Sequence, residues 1–254
     1  MILEDFHVHT TFSDGENTPE EMVRAAIELG VKRLGFSDHA HTPGGESYCM
    51  SLENIPVYRK TVRDLKEKYR GKIEIFCVIE QDLFSDVPTD GYDYVIGSVH
   101  ALPHGDRYYD VDDTEAIFAD MAVRFYGGDY LALAEDYFAH VAQLGKLCPN
   151  IIGHLDLVTK FNEGDRLFDT HDPRYLMAAY HAVDALLPLG VPFEINTGAI
   201  SRKRRTSPYP SEDILRYILS HDGKVIFSSD AHSAETICYQ FEKWEAHFRK
   251  IGIL

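Results

Sequence analysis

The chain has 254 residues, 44% hydrophobic and 26% charged, a balance that fits a folded globular protein and not a disordered one. Lys and Arg number 25 against 41 Asp and Glu, a formal charge of −16, so nucleic acid is not expected as the main partner. No run of about 18 apolar residues predicts a membrane span, and the N-terminal MILEDFHVHT lacks the basic and cleavable features of a signal peptide. Cys49, Cys77, Cys148 and Cys238 are too scattered for a disulfide framework or a CxxC zinc site, which makes a reducing cytoplasm the expected setting.

Seven short apolar runs read as strands, most of them separated by helical patterns. The first is Ile2–His7, followed by a capping box at Thr18–Glu21 with Pro19 in the first turn and Gly30 as the stop. Arg33–Ser37 is the second strand, and Leu52–Tyr69 a helix. Ile73–Ile79 and Tyr94–Val99 are the third and fourth strands, with a loop over Ser85–Asp93 between them and another over Leu102–Asp113 after them. Helices are expected over Thr114–Phe125 and Tyr130–Leu147, a strand over Ile151–His154, and a helix over Pro173–Leu187. Val191–Ile195 is the sixth strand, with a loop at Ser201–Pro210 and a helix at Ser211–Ser220. Val225–Ser228 is the seventh, and Glu235–Ile251 the last helix. Strands alternating with helices indicate a parallel sheet, here most simply a closed barrel. No linker rich in Pro, Gly or Ser divides the chain, so residues 1–254 are expected to form one domain.

What stands at the strand ends carries the chemistry. His7 and His9 close the first strand, with Asp14 five residues on. Asp38-His39 follows the second, and Glu80 the third. His100 ends the fourth, His154 the fifth, Glu194-Ile195-Asn196 the sixth, and Asp230-Ala231-His232 the seventh. Six of the 13 histidines thus sit at strand exits, which in a parallel barrel all open on one face. Positions i and i+2 of a strand point to the same side, so His7 and His9 can hold one cation together, as can Asp230 and His232. A single His-x-His pair is often only a surface pair, and His154 alone could be a satisfied core histidine. Packing does not explain acid or imidazole at nearly every exit, since it would favour small or apolar residues there. Mixed imidazole and carboxylate donors suit zinc, manganese or iron better than calcium or magnesium. Eight or nine donors are too many for one ion; two or three ions sharing a carboxylate such as Glu80 would use them all.

The segments DFHVHTTFSDG (5–15), GFSDHAH (35–41), VIEQD with Glu80, GSVH (97–100), GHLDL (153–157) and SSDAH (228–232) resemble the PHP superfamily of metal-dependent phosphoesterases. They occur in that family's order and cover nearly the whole chain. Within it, GHLDL, Glu194-Ile-Asn-Thr-Gly198 and Tyr209-Pro-Ser211 are similar to the histidinol-phosphate phosphatases of histidine biosynthesis. The resemblance implies a distorted seven-stranded β/α barrel with a trinuclear centre at the C-terminal ends of the strands. By position, His7, His9, Glu80 and Asp230 would hold one metal; Glu80, His100 and His154 the second; Asp14, His39 and His232 the third. It implies hydrolysis of L-histidinol phosphate to L-histidinol and phosphate, with a metal-bound water, its pKa lowered from about 15.7 toward about 7, supplying the attacking hydroxide. The three divalent ions would be manganese, zinc or iron.

The remaining parts of such a site are expected near those exits. Asp38 and His41, beside ligand His39, are the nearest candidates in sequence for a catalytic acid, though each also suits a supporting role. Arg202 and Arg204, in the basic stretch Ser201–Arg205, are candidate phosphate contacts, since guanidinium binds phosphoryl oxygens in pairs. A solvated loop is the plainer reading of that stretch. Lys160 stands where the phosphatases often have Arg, and would act as a point charge. Glu46–Met50 and Tyr108-Tyr109 offer acidic and aromatic cover for a cationic substrate. The alternatives are a phosphoesterase for another small ester, such as a nucleotide or sugar phosphate, and a non-catalytic metal-binding module. The filled ligand positions argue against the module, and no Lys at a strand exit supports an amidohydrolase. No feature of the sequence sets an oligomeric state.

Overall fold

The computed structural model describes residues 3–254, so Ile2, at the start of the first predicted strand, lies outside the described residues. Chain order is β1 (Glu4–Val8), α1 (Pro19–Glu28), β2 (Arg33–Phe36), α2 (Ile55–Lys68), β3 (Glu74–Asp82) and β4 (Tyr94–Ser98). A hairpin of β5 (Ala101–His104) and β6 (Arg107–Asp110) follows, then α3 (Glu115–Tyr126), α4 (Tyr130–Val141) and β7 (Ile151–Ile152). The chain ends with α5 (Pro173–Leu186), β8 (Phe193–Asn196), the short α6 (Gly198–Ser201), α7 (Glu212–Ser220), β9 (Val225–Ser228) and α8 (Phe241–Lys250).

Seven parallel strands pair in the order β1-β2-β3-β4-β7-β8-β9. The circle closes just past the strand ends, where His9 N donates to Ala231 O at 2.8 Å and Ala231 N to His7 O at 3.2 Å. The sheet is therefore a nearly closed, distorted (β/α)7 barrel. Below that bridge Asp5 ties the seam: its carboxylate accepts from Ser229 N at 3.1 Å and Cys238 N at 2.8 Å. Apolar side chains of α1 and α2 pack on one flank of the sheet, and those of α3, α4, α5 and α7 form the larger core on the other. Burial of both sheet faces explains why the strands read as short apolar runs and not as alternating ones.

The capping box is formed: Thr18 N donates to Glu21 Oε2 at 2.8 Å, and Glu21 N to Thr18 Oγ1 at 3.4 Å. Three expectations need correcting. The loop predicted over Leu102–Asp113 contains the β5–β6 hairpin, whose two-residue turn begins at Gly105 with φ of +64°. The helix predicted over Tyr130–Leu147 ends at Val141, and a separate 3₁₀ turn covers Leu144–Leu147 before left-handed Cys148 and Pro149. The final helix starts at Phe241 and not Glu235, because left-handed Cys238 and Gln240 break the run. Binding of Cys238 N by Asp5 holds that broken segment on the barrel seam.

No helix among the described residues is long and apolar enough to cross a membrane.

Candidate metal centre

All nine predicted ligand residues meet at the C-terminal mouth of the barrel. His7 Nε2 lies 3.1 Å from His9 Nε2 and 3.2 Å from Glu80 Oε2. Asp230 Oδ1 lies 3.3 Å from His9 Nε2 and 3.8 Å from His7 Nε2, completing the first predicted set. The second set gathers on the other oxygen of the same carboxylate, with His154 Nε2 at 3.0 Å and His100 Nε2 at 3.4 Å from Glu80 Oε1. In the third, His232 Nε2 is 3.1 Å and His39 Nε2 3.8 Å from the carboxylate of Asp14. Two rings reach across the sets. His9 turns Nδ1 to within 3.7 Å of Asp14, and His39 places Nδ1 3.0 Å from Glu80 Oε2. Glu80 is inside β3, which runs three residues beyond its predicted end and carries the carboxylate into the barrel's centre.

The electrostatics are those of a cation cage. Burial pushes the Glu80 carboxyl up, but the charges of His7, His39 and His100 hold it well below the ordinary carboxylate range. Burial likewise opposes ionisation of Asp230, yet Arg202 and His7 keep it well below that range. His9 is driven down to about 3 by burial and by repulsion from His232 and His39, so its ring is a neutral donor. Glu80 Oε2 is buried without a hydrogen-bond partner although three imidazoles crowd it. An orphaned carboxylate oxygen crowded by imidazole nitrogens is what a divalent cation, taking the place of their protons, would satisfy, and on this ground the donor set fits metal. The backbone is shaped for it too: a Cβ at Gly198 would stand 2.7 Å from Asp230 Oδ2.

Above this floor opens a cavity of about 230 Å³. Arg202 lies on its wall, donating to Asp230 Oδ2 at 2.9 Å, and Lys160 pairs there with Asp112 at 2.9 Å. Tyr48 and Asp110 form the wall beside them, joined by a hydrogen bond from the tyrosine hydroxyl at 3.2 Å. Burial and the neighbouring Asp112 raise the Asp110 carboxyl to about 6.

Other predicted residues are not brought to the cavity. Asp38 is fully buried and saturated by Thr10 N at 2.8 Å, Ser13 N at 3.1 Å and Ser13 Oγ at 2.7 Å, so it braces the turn that leads to Asp14. His41 lines no part of the cavity; its carbonyl accepts from Ser85 Oγ at 2.8 Å. Arg204 is exposed and faces a separate depression beside Lys243. Of Glu46–Met50 only Ser47 and Tyr48 reach the cavity, while Tyr108 and Tyr109 pack against Phe84 and Phe125. The sequence pattern gave no role to Glu194, whose Oε1 accepts from His7 Nδ1 at 2.6 Å, nor to Asp110 and Asp112 of the cavity wall.

A parallel barrel with imidazoles and carboxylates converging on its mouth defines the class, and the chain belongs to the PHP-domain family, whose profile matches residues 5–198. Asp230 and His232 lie beyond the matched segment, and the barrel closure brings them into the centre. The chain is 29% identical over 262 residues to a Deinococcus radiodurans protein named "Probable histidinol-phosphatase", covering 98% of this chain and 93% of that one. It is 26% identical over 267 residues to the histidinol-phosphatase of Bacillus subtilis, covering 95% and 98%. The fold matches the crystal structure of histidinol phosphate phosphatase from Lactococcus lactis, complexed with zinc, L-histidinol and phosphate. That match has a TM-score of 0.73 and 23% identity, and covers 99% of this chain and 94% of that one.

Proposed function

We propose that this chain is a metal-dependent phosphomonoesterase that hydrolyses L-histidinol phosphate to L-histidinol and phosphate. The carrying observation is the cavity itself, with a floor of imidazole and carboxylate donors, Arg202 and Lys160 on its wall, and Tyr48, Asp110 and Asp112 near them. Its support from kinship is the near full-length likeness to two relatives named for that activity. His7, His9, Glu80 and Asp230 would hold one divalent ion, Glu80, His100 and His154 a second, and Asp14, His39 and His232 a third. Ions so held would supply a water nucleophile at neutral pH and offset the charge of the phosphoryl group.

The chain's own groups do the rest. Hydrolysis forms a bond from water oxygen to phosphorus and breaks the bond to the alkoxide, which takes a proton. Arg202 is fixed by Asp230, with its terminal nitrogens toward the cavity, and can bind phosphoryl oxygens as a planar fork. Lys160 adds a point charge whose position Asp112 sets. Asp110 and Asp112 supply the negative field that a protonated amine or imidazole of the substrate requires.

The test is phosphate release by the manganese- or zinc-loaded protein from L-histidinol phosphate and from nucleotide, sugar and aryl phosphates. A preference in kcat/KM of about a thousandfold, some 4 kcal/mol of discrimination, supports the reading. Even activity across the panel keeps the phosphoesterase and removes histidinol phosphate as its substrate.

A further inference from the structure

Every barrel strand except β8 carries, in itself or in the residues that follow it, a candidate ligand. Yet β8 ends at the same mouth, and Glu194 and Asn196, two residues apart, both bond to groups of the centre. Glu194 is a wholly buried carboxylate, which a fold retains only when its oxygens are occupied. They are. Oε1 accepts from His7 Nδ1 at 2.6 Å. Oε2 accepts from the backbone N–H of His154 and from Asn196 Nδ2, both at 3.0 Å. Asn196 is fixed in turn, its Oδ1 accepting from Gly198 N at 2.9 Å and its backbone paired with Tyr209.

We infer that Glu194 is a positioning residue that presents His7 Nε2 to the first metal and joins His7 to His154 of the second set through one carboxylate. A carboxylate can only accept, so the proton of this contact belongs to His7 Nδ1, and Nε2 is left facing His9, Asp230 and Glu80. The inference rests on the metal reading of the centre and not on the identity of the substrate. Its chemistry demands Glu and rejects Gln, although the two have one shape. Three donors converge on two oxygens, and an amide offers one oxygen. If that oxygen faces His7, the NH2 group meets the His154 N–H and Asn196 Nδ2. If it faces His154, the NH2 group meets His7 Nδ1–H and drives that ring toward the wrong tautomer.

The experiment is competition between the metal-free protein and a chromophoric chelator for zinc, in wild type and Glu194→Gln. The expected result is binding about 10–100-fold weaker in the variant. Zinc-loaded wild type with 15N-labelled histidine should show a downfield His7 Nδ1–H proton, and the variant should lose it. kcat should fall with KM little changed. Zinc affinity within about threefold of wild type, with the His7 resonance kept, would overturn the inference. Should Glu194→Gln not fold, Asn196→Ala decides: it leaves the His7 contact but removes one tie on Glu194, so zinc binding should weaken several-fold, and unchanged binding overturns the inference. Wild type that binds zinc but spares histidinol phosphate leaves this inference standing and removes only the substrate. Wild type that binds no zinc removes both.

Discussion

His7 and His9 bring their Nε2 atoms to within 3.1 Å of each other in a wholly buried part of the barrel. The spacing of i and i+2 on one strand accounts for the shared direction, and two ring nitrogens so close must share a proton or a cation. Asp230 Oδ1 and Glu80 Oε2 are the remaining donors around that point. Replacing His9 by Ala should therefore remove at least one bound metal, read by elemental analysis of the purified protein. Phosphate release should fall by about a hundredfold or more, the several kcal/mol that metal stabilisation of phosphoryl charge supplies. Full activity of His9→Ala at saturating substrate would remove the first metal set.

Arg202 and Arg204 separate a cavity group from a surface one within a single basic stretch. Arg202 donates to Asp230 at the cavity, whereas Arg204 is exposed away from it. Arg202→Ala should lower kcat/KM by about 1.5–3 kcal/mol, the range for a charge-assisted hydrogen bond. Arg204→Ala should leave kcat/KM within about twofold, as surface changes do. Equal losses from both would place the whole stretch at the substrate.

The barrel and the donor side chains at its mouth were legible for a physical reason. Parallel strands covered on both faces appear as apolar runs, and a polar residue ending such a run must have a partner. That logic singled out His7, His9, Glu80, His100, His154 and Asp230, whose side chains the fold brings together. It failed for Asp38, because adjacent residues point to opposite sides at a strand end, and Asp38 turns to Thr10 and Ser13 while His39 faces the centre. His41 has the right parity, but Met50 N and Thr42 Oγ1 bond the carbonyls of His39 and Ala40 as the chain leaves the strand. Glu194 stood at a strand end like the ligands, and sequence alone does not separate an acid that binds metal from one that steadies a histidine. The cavity wall was missed with the hairpin: Gly105-Asp106 was the signal for a two-residue turn, and β6 ends in Asp110.

Removing the metals should loosen the barrel's mouth, because six of the seven strands, in themselves or in the residues that follow them, bring candidate ligands to it. The predicted behaviour follows linkage: a ligand at about a hundred times its Kd adds about 2.7 kcal/mol per site. Prolonged chelation should lower the Tm by about 5–10 °C for one tight site, at about 2–4 °C per kcal/mol in a chain of this size. Readdition of zinc or manganese should restore both the Tm and phosphate release. An unchanged melting curve after verified metal loss would show that the donors are preorganised without the ions.

The Asp5 carboxyl at the barrel seam gives a pH signature. Burial raises it from 3.8 to about 6, despite hydrogen bonds from Ser229, Cys238 and His7. An acid with a raised folded pKa binds its proton more tightly in the native state. Its protonation stabilises the fold as pH falls from about 6 toward 3.8, and that increment is absent above pH 6. Once the proton is fully taken up, the increment amounts to about 3 kcal/mol. Asp5→Asn cannot take up the proton, so wild-type stability minus variant stability should rise on acidification, whatever its sign at neutral pH. Urea denaturation of the metal-free proteins at pH 7.5 and pH 4.5 measures the two differences. A signed difference that stays constant or falls at pH 4.5 would show that Asp5 is ionised throughout, its charge fully met by the donors of the seam.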